Sequence, residues 1–177
     1  MNQEDVLKKA ALIRLAVFDV DGVMTNGDLI FDENGNEYKV FNVQDGMGLV
    51  MLREAGLKAA VISARTSSIV TNRMTELGVE YILQGKRNKQ EALSGLVTDL
   101  GLERKHTAFA GDDIIDLPAM SGAGMSIAVA DAHPRVIEQA DWVTAKSGGQ
   151  GAVREICELL LESQGKLEKI YQKLLEP

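Results

Sequence analysis

The chain has 177 residues, 45% of them hydrophobic and 25% charged, with a formal net charge of −7 and a pI near 4.9. That length suits one globular domain with a covered sheet, and the acidic balance, with no dense run of Lys or Arg, argues against nucleic acid as a partner. No apolar stretch approaches the roughly 18 residues of a membrane span, and Asn2-Gln3-Glu4-Asp5 lacks the basic start of a secretory leader, so a cytoplasmic protein without a membrane partner is expected.

A short amphipathic helix is predicted over residues 3–12, then a strand over 14–20. The strand's run Leu15-Ala16-Val17-Phe18 is apolar on both faces, as in a buried parallel sheet. Segments 28–31 and 37–41 flank Asp32-Glu33-Asn34-Gly35-Asn36, whose Asn-Gly pair signals a β-hairpin. Leu29, Ile30, Phe31, Val40 and Phe41 exceed what a lone ribbon can cover, so the hairpin is expected to pack on its own body or on another subunit. Helix and strand then alternate: helix 46–55, strand 58–63, helix 67–77 ended by Gly78, strand 79–83, helix 89–100, strand 107–110 and helix 113–121. Strand 125–129, a short helix after Pro134, strand 141–144 and helix 151–162 complete the series. This rhythm predicts an α/β fold with a doubly wound parallel sheet, one domain over 1–177 and a hairpin insertion over 28–41. Cys157, the single cysteine, sits among Val153, Ile156 and Leu160 at helical spacing and reads as a small core hydrophobe. Met47 and Met51 read as core in the same way.

Asp19 and Asp21 end the first strand two residues apart, where side chains point the same way. Ligands of open α/β folds bind at that edge, and two acids there stay ionised only if a cation or proton separates them. Later strand ends add Ser63, Lys89 just inside a helix start, and Gly111-Asp112-Asp113-Ile114-Ile115-Asp116. Alone, each has a plainer reading as a turn residue, a surface lysine or a helix cap; together they suit phosphoryl transfer. An Asp carboxylate can attack phosphorus, and Mg²⁺ held by carboxylates supplies charge over the phosphoryl oxygens and keeps Asp19 ionised. Lys89 adds a second cation, Ser63 donates a hydrogen bond, and Asp21 is placed to protonate the leaving alkoxide and then activate water. Asn88 and Glu91 have the spacing of a capping pair, which puts Lys89 in the first turn of its helix. Asp113 is expected mainly to cap, with Asp112 and Asp116 nearer the metal. His106 and His133 are weaker candidates for ligand contact.

A phospho-acceptor switch domain uses similar groups, but its acceptor lies on a different strand from its acidic pair; a shared strand favours turnover. Gly122-Ala123-Gly124 lacks the third glycine of a dinucleotide fingerprint.

Asp19-x-Asp21-Gly22-Val23-x-Thr25, Ser63, Lys89 and Gly111-Asp112-Asp113-x-x-Asp116 resemble, in order and spacing, the four motifs of the haloacid-dehalogenase-like phosphatases. Asn42-Val43-Gln44-Asp45-Gly46, Gln84-Gly85, Ala128-Val129-Ala130-Asp131-Ala132-His133-Pro134 and Gly148-Gly149-Gln150-Gly151-Ala152-Val153-Arg154-Glu155 narrow the resemblance. They are similar to the members that dephosphorylate an eight-carbon keto-deoxy sugar acid in lipopolysaccharide sugar synthesis. The resemblance implies a cytoplasmic, Mg²⁺-dependent phosphatase of a small sugar phosphate with no separate cap domain. It implies a nucleophile at Asp19, an acid/base at Asp21, and metal held by Asp19, the Asp21 backbone carbonyl and Asp112. Ser63 and Lys89 would hold the phosphoryl group, and Gly46, Arg65 and Asp116 would contact substrate. It also implies a homotetramer joined through the hairpin, with the tail 166–177 able to reach a neighbouring site. Gln44 and Gln150 depart from it, standing where related chains often carry Arg, and Ala64 replaces a frequent Gly. An amide does not reproduce a guanidinium clamp on a carboxylate, which leaves a nine-carbon sugar acid open as the substrate.

Overall fold

Leu15–Phe18 forms a strand (β1) buried at every position in the computed structural model, which describes residues 2–175. Ahead of it runs α1 (Gln3–Ala10), and after it the hairpin strands β2 (Ile30–Phe31) and β3 (Glu37–Tyr38), α2 (Val43–Glu54), β4 (Lys58–Ile62), α3 (Ser68–Glu76) and β5 (Tyr81–Leu83). Then come α4 (Lys89–Asp99), β6 (Thr107–Gly111), α5 (Leu117–Gly122), β7 (Met125–Ala128), α6 (Pro134–Gln139), β8 (Trp142–Val143), α7 (Ala152–Ser163) and α8 (Leu167–Leu175). Six strands make one parallel sheet in the order β5-β4-β1-β6-β7-β8. From β1 the chain winds outward through β4 and β5, then crosses back to β6, so the topological switch point lies between β1 and β6. Phe18 is in register with Val61 and Ala110, which sets the carboxyl ends of β4, β1 and β6 side by side. Flanking helices bury Phe18, Phe109, Leu49, Met51, Leu52, Ile127, Ile156 and Cys157 against the sheet. The α/β doubly wound sheet and the hairpin insertion are as the sequence predicts, and no separate cap domain is present among the described residues.

The departures are local. The chain leaves β1 after Phe18 because Met24 and Thr25 turn their N–H groups back onto the Val20 carbonyl, although the Asp19 N–H still pairs with the Ala110 carbonyl at 3.0 Å. α2 starts three residues early, since Asn42 Oδ1 accepts the N–H groups of Gln44 and Asp45. The helix expected over 113–121 is divided: a 3₁₀ turn over Ile114–Asp116 precedes α5, whose second residue, Pro118, has no N–H to give. Met51 is buried, but Met47 is 41% exposed, on the outer face of α2. The tail carries α8, a helix beyond those the hydrophobic rhythm predicts. Ile170 buries itself against the core, the Tyr171 hydroxyl donates to Glu158 Oε1 at 2.5 Å, and Lys173 pairs with Glu54 at 2.5 Å. Glu176 and Pro177 lie outside the described residues.

The hairpin pairs Ile30 with Tyr38 and Phe31 with Glu37, and Asp32 Oδ1 accepts the N–H groups of Asn34 and Asn36 across its turn. Phe41 packs on the core, whereas Leu29, Ile30, Phe31, Tyr38 and Val40 stay exposed.

α2 and α7 are stitched by one buried carboxylate. Asp45, in the first turn of α2, accepts the N–H groups of Gly151 at 3.2 Å and Arg154 at 2.8 Å, filling orphan donors at the start of α7. Asp45→Ala strands both donors and is expected to cost about 2 kcal/mol in urea unfolding, with Asp45→Asn, which keeps one acceptor, costing less.

Candidate active site

β1 and β6 deliver two carboxylates to the switch point. Asp19 follows β1 and is 5% exposed; Asp112 follows β6, and its Oδ1 is buried with no hydrogen-bond partner among the described residues. Asp116 lies one turn further on and is wholly buried. One oxygen from each of the three falls within 4.8 Å of the others. Lys89, placed at the first position of α4 by the Asn88 cap, sends its 1% exposed side chain among them. Its Nζ lies 2.7 Å from Asp19 Oδ1 and 2.6 Å from Asp116 Oδ1.

Three carboxylates against one ammonium leave an excess of buried negative charge. Burial pushes Asp19 up to about 6, with the Asp116 charge adding and Lys89 opposing. Burial, then the charges of Asp19 and Asp116, push Asp112 up to about 8. Burial alone would lower Lys89, but Asp19 and Asp116 outweigh it and hold the ammonium above its ordinary value. A divalent cation fits this donor set. Its oxygens are hard ligands, its charge is uncompensated, and Asp112 Oδ1 lacks a partner.

The turn after β1 is shaped to meet Asp112. Gly22 has φ +102°, and a Cβ there would overlap the Asp112 carboxylate. Thr25 Oγ1 accepts the N–H groups of Gly22 and Gly27 and donates to the Val20 carbonyl, closing the turn. Gly148 backs it from outside, since a Cβ at 148 would overlap the Gly22 carbonyl; the neighbouring Gly149 N–H donates to the Val23 carbonyl at 2.9 Å. The His133 N–H donates to the Asp112 carbonyl at 2.7 Å, while its ring nitrogen Nδ1 accepts from Arg135. His106 Nδ1 accepts from Glu103 in a 3₁₀ turn.

Asp19, Lys89, Asp112 and Asp116 are thus brought together. Ser63, buried just past β4, accepts the Arg65 N–H on its hydroxyl at 3.2 Å, which leaves the hydroxyl proton for another acceptor. Asp21 faces Lys39 and, at 3.5 Å, Arg65. Asp113 caps the 3₁₀ turn, accepting from the Ile114 N–H at 2.7 Å. Asp116 spends one oxygen on Lys89 and the other on the N–H groups of Asp112 and Asp113, so it organises the loop from behind. Gly46 directs its Cα hydrogen at Arg73 and Leu77 in the contact between α2 and the end of α3, with its N–H on the Asn42 carbonyl. Lys39 and Glu37 were not foreseen beside Asp21. A hairpin lysine two residues from a glutamate carries no local signal of that placement.

The chain matches the haloacid dehalogenase-like hydrolase family over residues 32–156. The 3-deoxy-D-manno-octulosonate 8-phosphate phosphatase KdsC of Escherichia coli strain K12 is 46% identical over 165 residues, which cover 93% of this chain and 88% of that protein. Among solved structures, the 3-deoxy-D-manno-octulosonate 8-phosphate phosphatase of Moraxella catarrhalis, in complex with magnesium ion, phosphate ion and KDO, aligns with a TM-score of 0.96 at 40% identity over 98% of this chain and 99% of that one. The cobalt-bound deoxy-D-mannose-octulosonate 8-phosphate phosphatase of Haemophilus influenzae aligns with a TM-score of 0.88 at 39% identity over 93% of this chain and 99% of that one.

The buried charge makes a stability prediction for metal-free protein. With Asp112 raised to about 8 and Asp19 to about 6, the native state holds protons that unfolded carboxylates, at ordinary values, have already lost. The native state binds more protons than the unfolded chain, so stability falls as pH rises through this window. In chelator, the thermal midpoint is expected to fall from about pH 4, where unfolded carboxylates lose their protons, up to about pH 8. Saturating Mg²⁺ or Asp112→Asn should flatten that slope in scanning calorimetry.

Proposed function

This chain belongs to the haloacid dehalogenase-like hydrolases, and we propose that it hydrolyses 3-deoxy-D-manno-octulosonate 8-phosphate to the free sugar acid and phosphate, a step of lipopolysaccharide sugar synthesis. The observation that carries the reading is the meeting of Asp19, Asp112 and Lys89 at one switch point. The full-length likeness to the Escherichia coli and Moraxella catarrhalis phosphatases supports the substrate.

Asp19 attacks phosphorus, the bond from phosphorus to the ester oxygen breaks, and Asp21 gives its proton to the departing alkoxide. Water then attacks the aspartyl-phosphate, Asp21 takes the water's proton, and Asp19 is released as carboxylate with inorganic phosphate. Lys89 has three N–H donors, two of them turned to Asp19 and Asp116, so one remains for a phosphoryl oxygen. Ser63 has its hydroxyl proton to offer the same group. Asp19, Asp112 and the Asp21 backbone carbonyl are the groups to hold Mg²⁺, which when bound supplies positive charge against the phosphoryl oxygens. Arg65, exposed at the mouth of the site, suits the sugar acid. Asp116 acts through Lys89, and Gly46 through packing.

The whole chain acts as one domain, in the cytoplasm; among the described residues no helix is long and apolar enough to cross a membrane. The exposed hairpin residues Leu29, Ile30, Phe31 and Tyr38 support assembly into a homotetramer through 28–41. α8 packs on its own α7 and α2, which sets the start of any reach by 166–177 toward a neighbour.

One observation favours a second substrate. Gln44 precedes Asp45 and Gln150 precedes Gly151, so the Asp45–Gly151 hydrogen bond brings the two missing arginines to one place. A changed carboxylate clamp there keeps a nine-carbon keto-deoxy sugar acid phosphate as the alternative substrate.

Asp19→Asn is expected to lower phosphate release by at least about a thousandfold with its fold intact by circular dichroism. Wild-type kcat/KM should favour the eight-carbon over the nine-carbon ester by about tenfold or more, the reverse order assigning the nine-carbon substrate. Light scattering should give a tetramer for the wild type and a smaller species for Phe31→Asp.

A further inference from the structure

Lys39 lies just past β3, between the exposed Tyr38 and Val40. Its side chain is only 2% exposed. The ammonium rests against Asp21 Oδ1 and lies 3.4 Å from Glu37 Oε1. The same Glu37 oxygen takes Arg65 Nη2 at 2.5 Å, and Arg65 Nε lies 3.5 Å from Asp21 Oδ2. Two acids and two bases therefore alternate around a closed ring.

The limbs of the ring are unequal. Arg65 is 44% exposed, so water screens its pairs, whereas Lys39 has given up nearly all its hydration. A buried ammonium is tolerated only where fixed anions replace the lost water. Moving Asp21 away would leave Lys39 buried beside Glu37 alone, and moving Lys39 away would leave Asp21 only the solvent-screened Arg65. Each side chain thus holds the other in one place.

We propose that Lys39 is a positioning residue for the acid/base carboxylate Asp21, locking its orientation for proton transfer and tying that competence to the seating of the hairpin arm. Glu37 anchors Lys39 from behind. A direct role on phosphate or on the sugar-acid carboxylate is disfavoured, because the ammonium already lies between two carboxylates and Lys89 occupies the phosphoryl position. The proposal rests on the phosphatase reading, and its test uses two esters that separate Asp21's acid role from substrate recognition.

With 3-deoxy-D-manno-octulosonate 8-phosphate, whose alkoxide must be protonated, Lys39→Met is expected to lower kcat by about 10- to 100-fold while KM stays within about threefold. With p-nitrophenyl phosphate, whose leaving group departs without a proton, the first-turnover burst of nitrophenolate keeps its rate within about threefold, although steady turnover falls. In an Asp21→Asn background Lys39→Met adds a further loss of less than about twofold. If Lys39→Met lacks a native thermal transition, Glu37→Gln, which frees the ammonium on one side, is expected to show the same leaving-group pattern in weaker form. A rise in KM at unchanged kcat, an equal loss in the burst for both esters, or full multiplication of the loss over Asp21→Asn would overturn the proposal. Wild-type protein that hydrolyses neither ester would instead remove the phosphatase reading on which it stands.

Discussion

Excess buried negative charge at the ends of β1 and β6 is the constraint to which the rest of the site answers. Three carboxylates converge there on a single ammonium. Such an arrangement is unfavourable in a low-dielectric interior, and the neighbouring sequence is organised to hold it. Asp116 is neutralised by Lys89 and by two backbone N–H groups, and Lys89 is kept charged by two anions. Among the described residues Asp112 alone keeps a buried oxygen without a donor. The unfavourable charge is therefore concentrated on the two residues, Asp19 and Asp112, that flank the place where a cation belongs. Preorganised charge of this kind favours a divalent ion without any rearrangement of the residues that would hold it.

How much of this was legible in the sequence follows from the range of each interaction. β1 was legible because a strand buried on both faces must be apolar throughout. The meeting of Asp19, Lys89 and Asp112 was legible because parallel strands deliver their carboxyl ends to one edge, whatever lies between them in the chain. The Asn88 cap and the Asp113 cap were legible because they act over one to three residues. Other features depend on packing that no short pattern encodes. The spacing of Asp116 from Asp112 places them on neighbouring turns, but does not say that Asp116 faces inward to Lys89. Gly46 lies within a phosphatase-like motif, yet its surroundings are Arg73 and Leu77, which α3 supplies. α8 had a readable signal in Leu167, Ile170, Tyr171 and Leu174 at helical spacing, and assigning the segment to a tail hid it.

Glycine has a distinct part in the same design. The acidic turn after β1 can approach Asp112 only because position 22 has no Cβ, and the segment around 148 can back that turn only because position 148 has none. The backbone carbonyl of Gly22 is the surface on which the second contact forms. Strand end, turn and backing loop are thus three layers of chain in direct contact. A methyl group at either position would separate layers that the two carboxylates need close together.

The hairpin joins the two scales of the molecule. Its strands pair through only two residues each, and a two-stranded ribbon of that size has little stability of its own. It needs fixing at both ends. At the base, Phe41 packs on the core while Glu37 and Lys39 enter the charge ring around Asp21. At the outer end, Ile30, Phe31 and Tyr38 present apolar area to whatever covers it. The same arm carries the ammonium that lies against Asp21. Since Glu37 and Tyr38 are consecutive on β3, a shift of one pairing register would exchange the inward and outward faces of the arm and disturb both ends at once. The arm's exposed face and the charge ring around Asp21 are in this way coupled through three consecutive residues, Glu37, Tyr38 and Lys39, with the charged pair turned inward and the ring of Tyr38 outward.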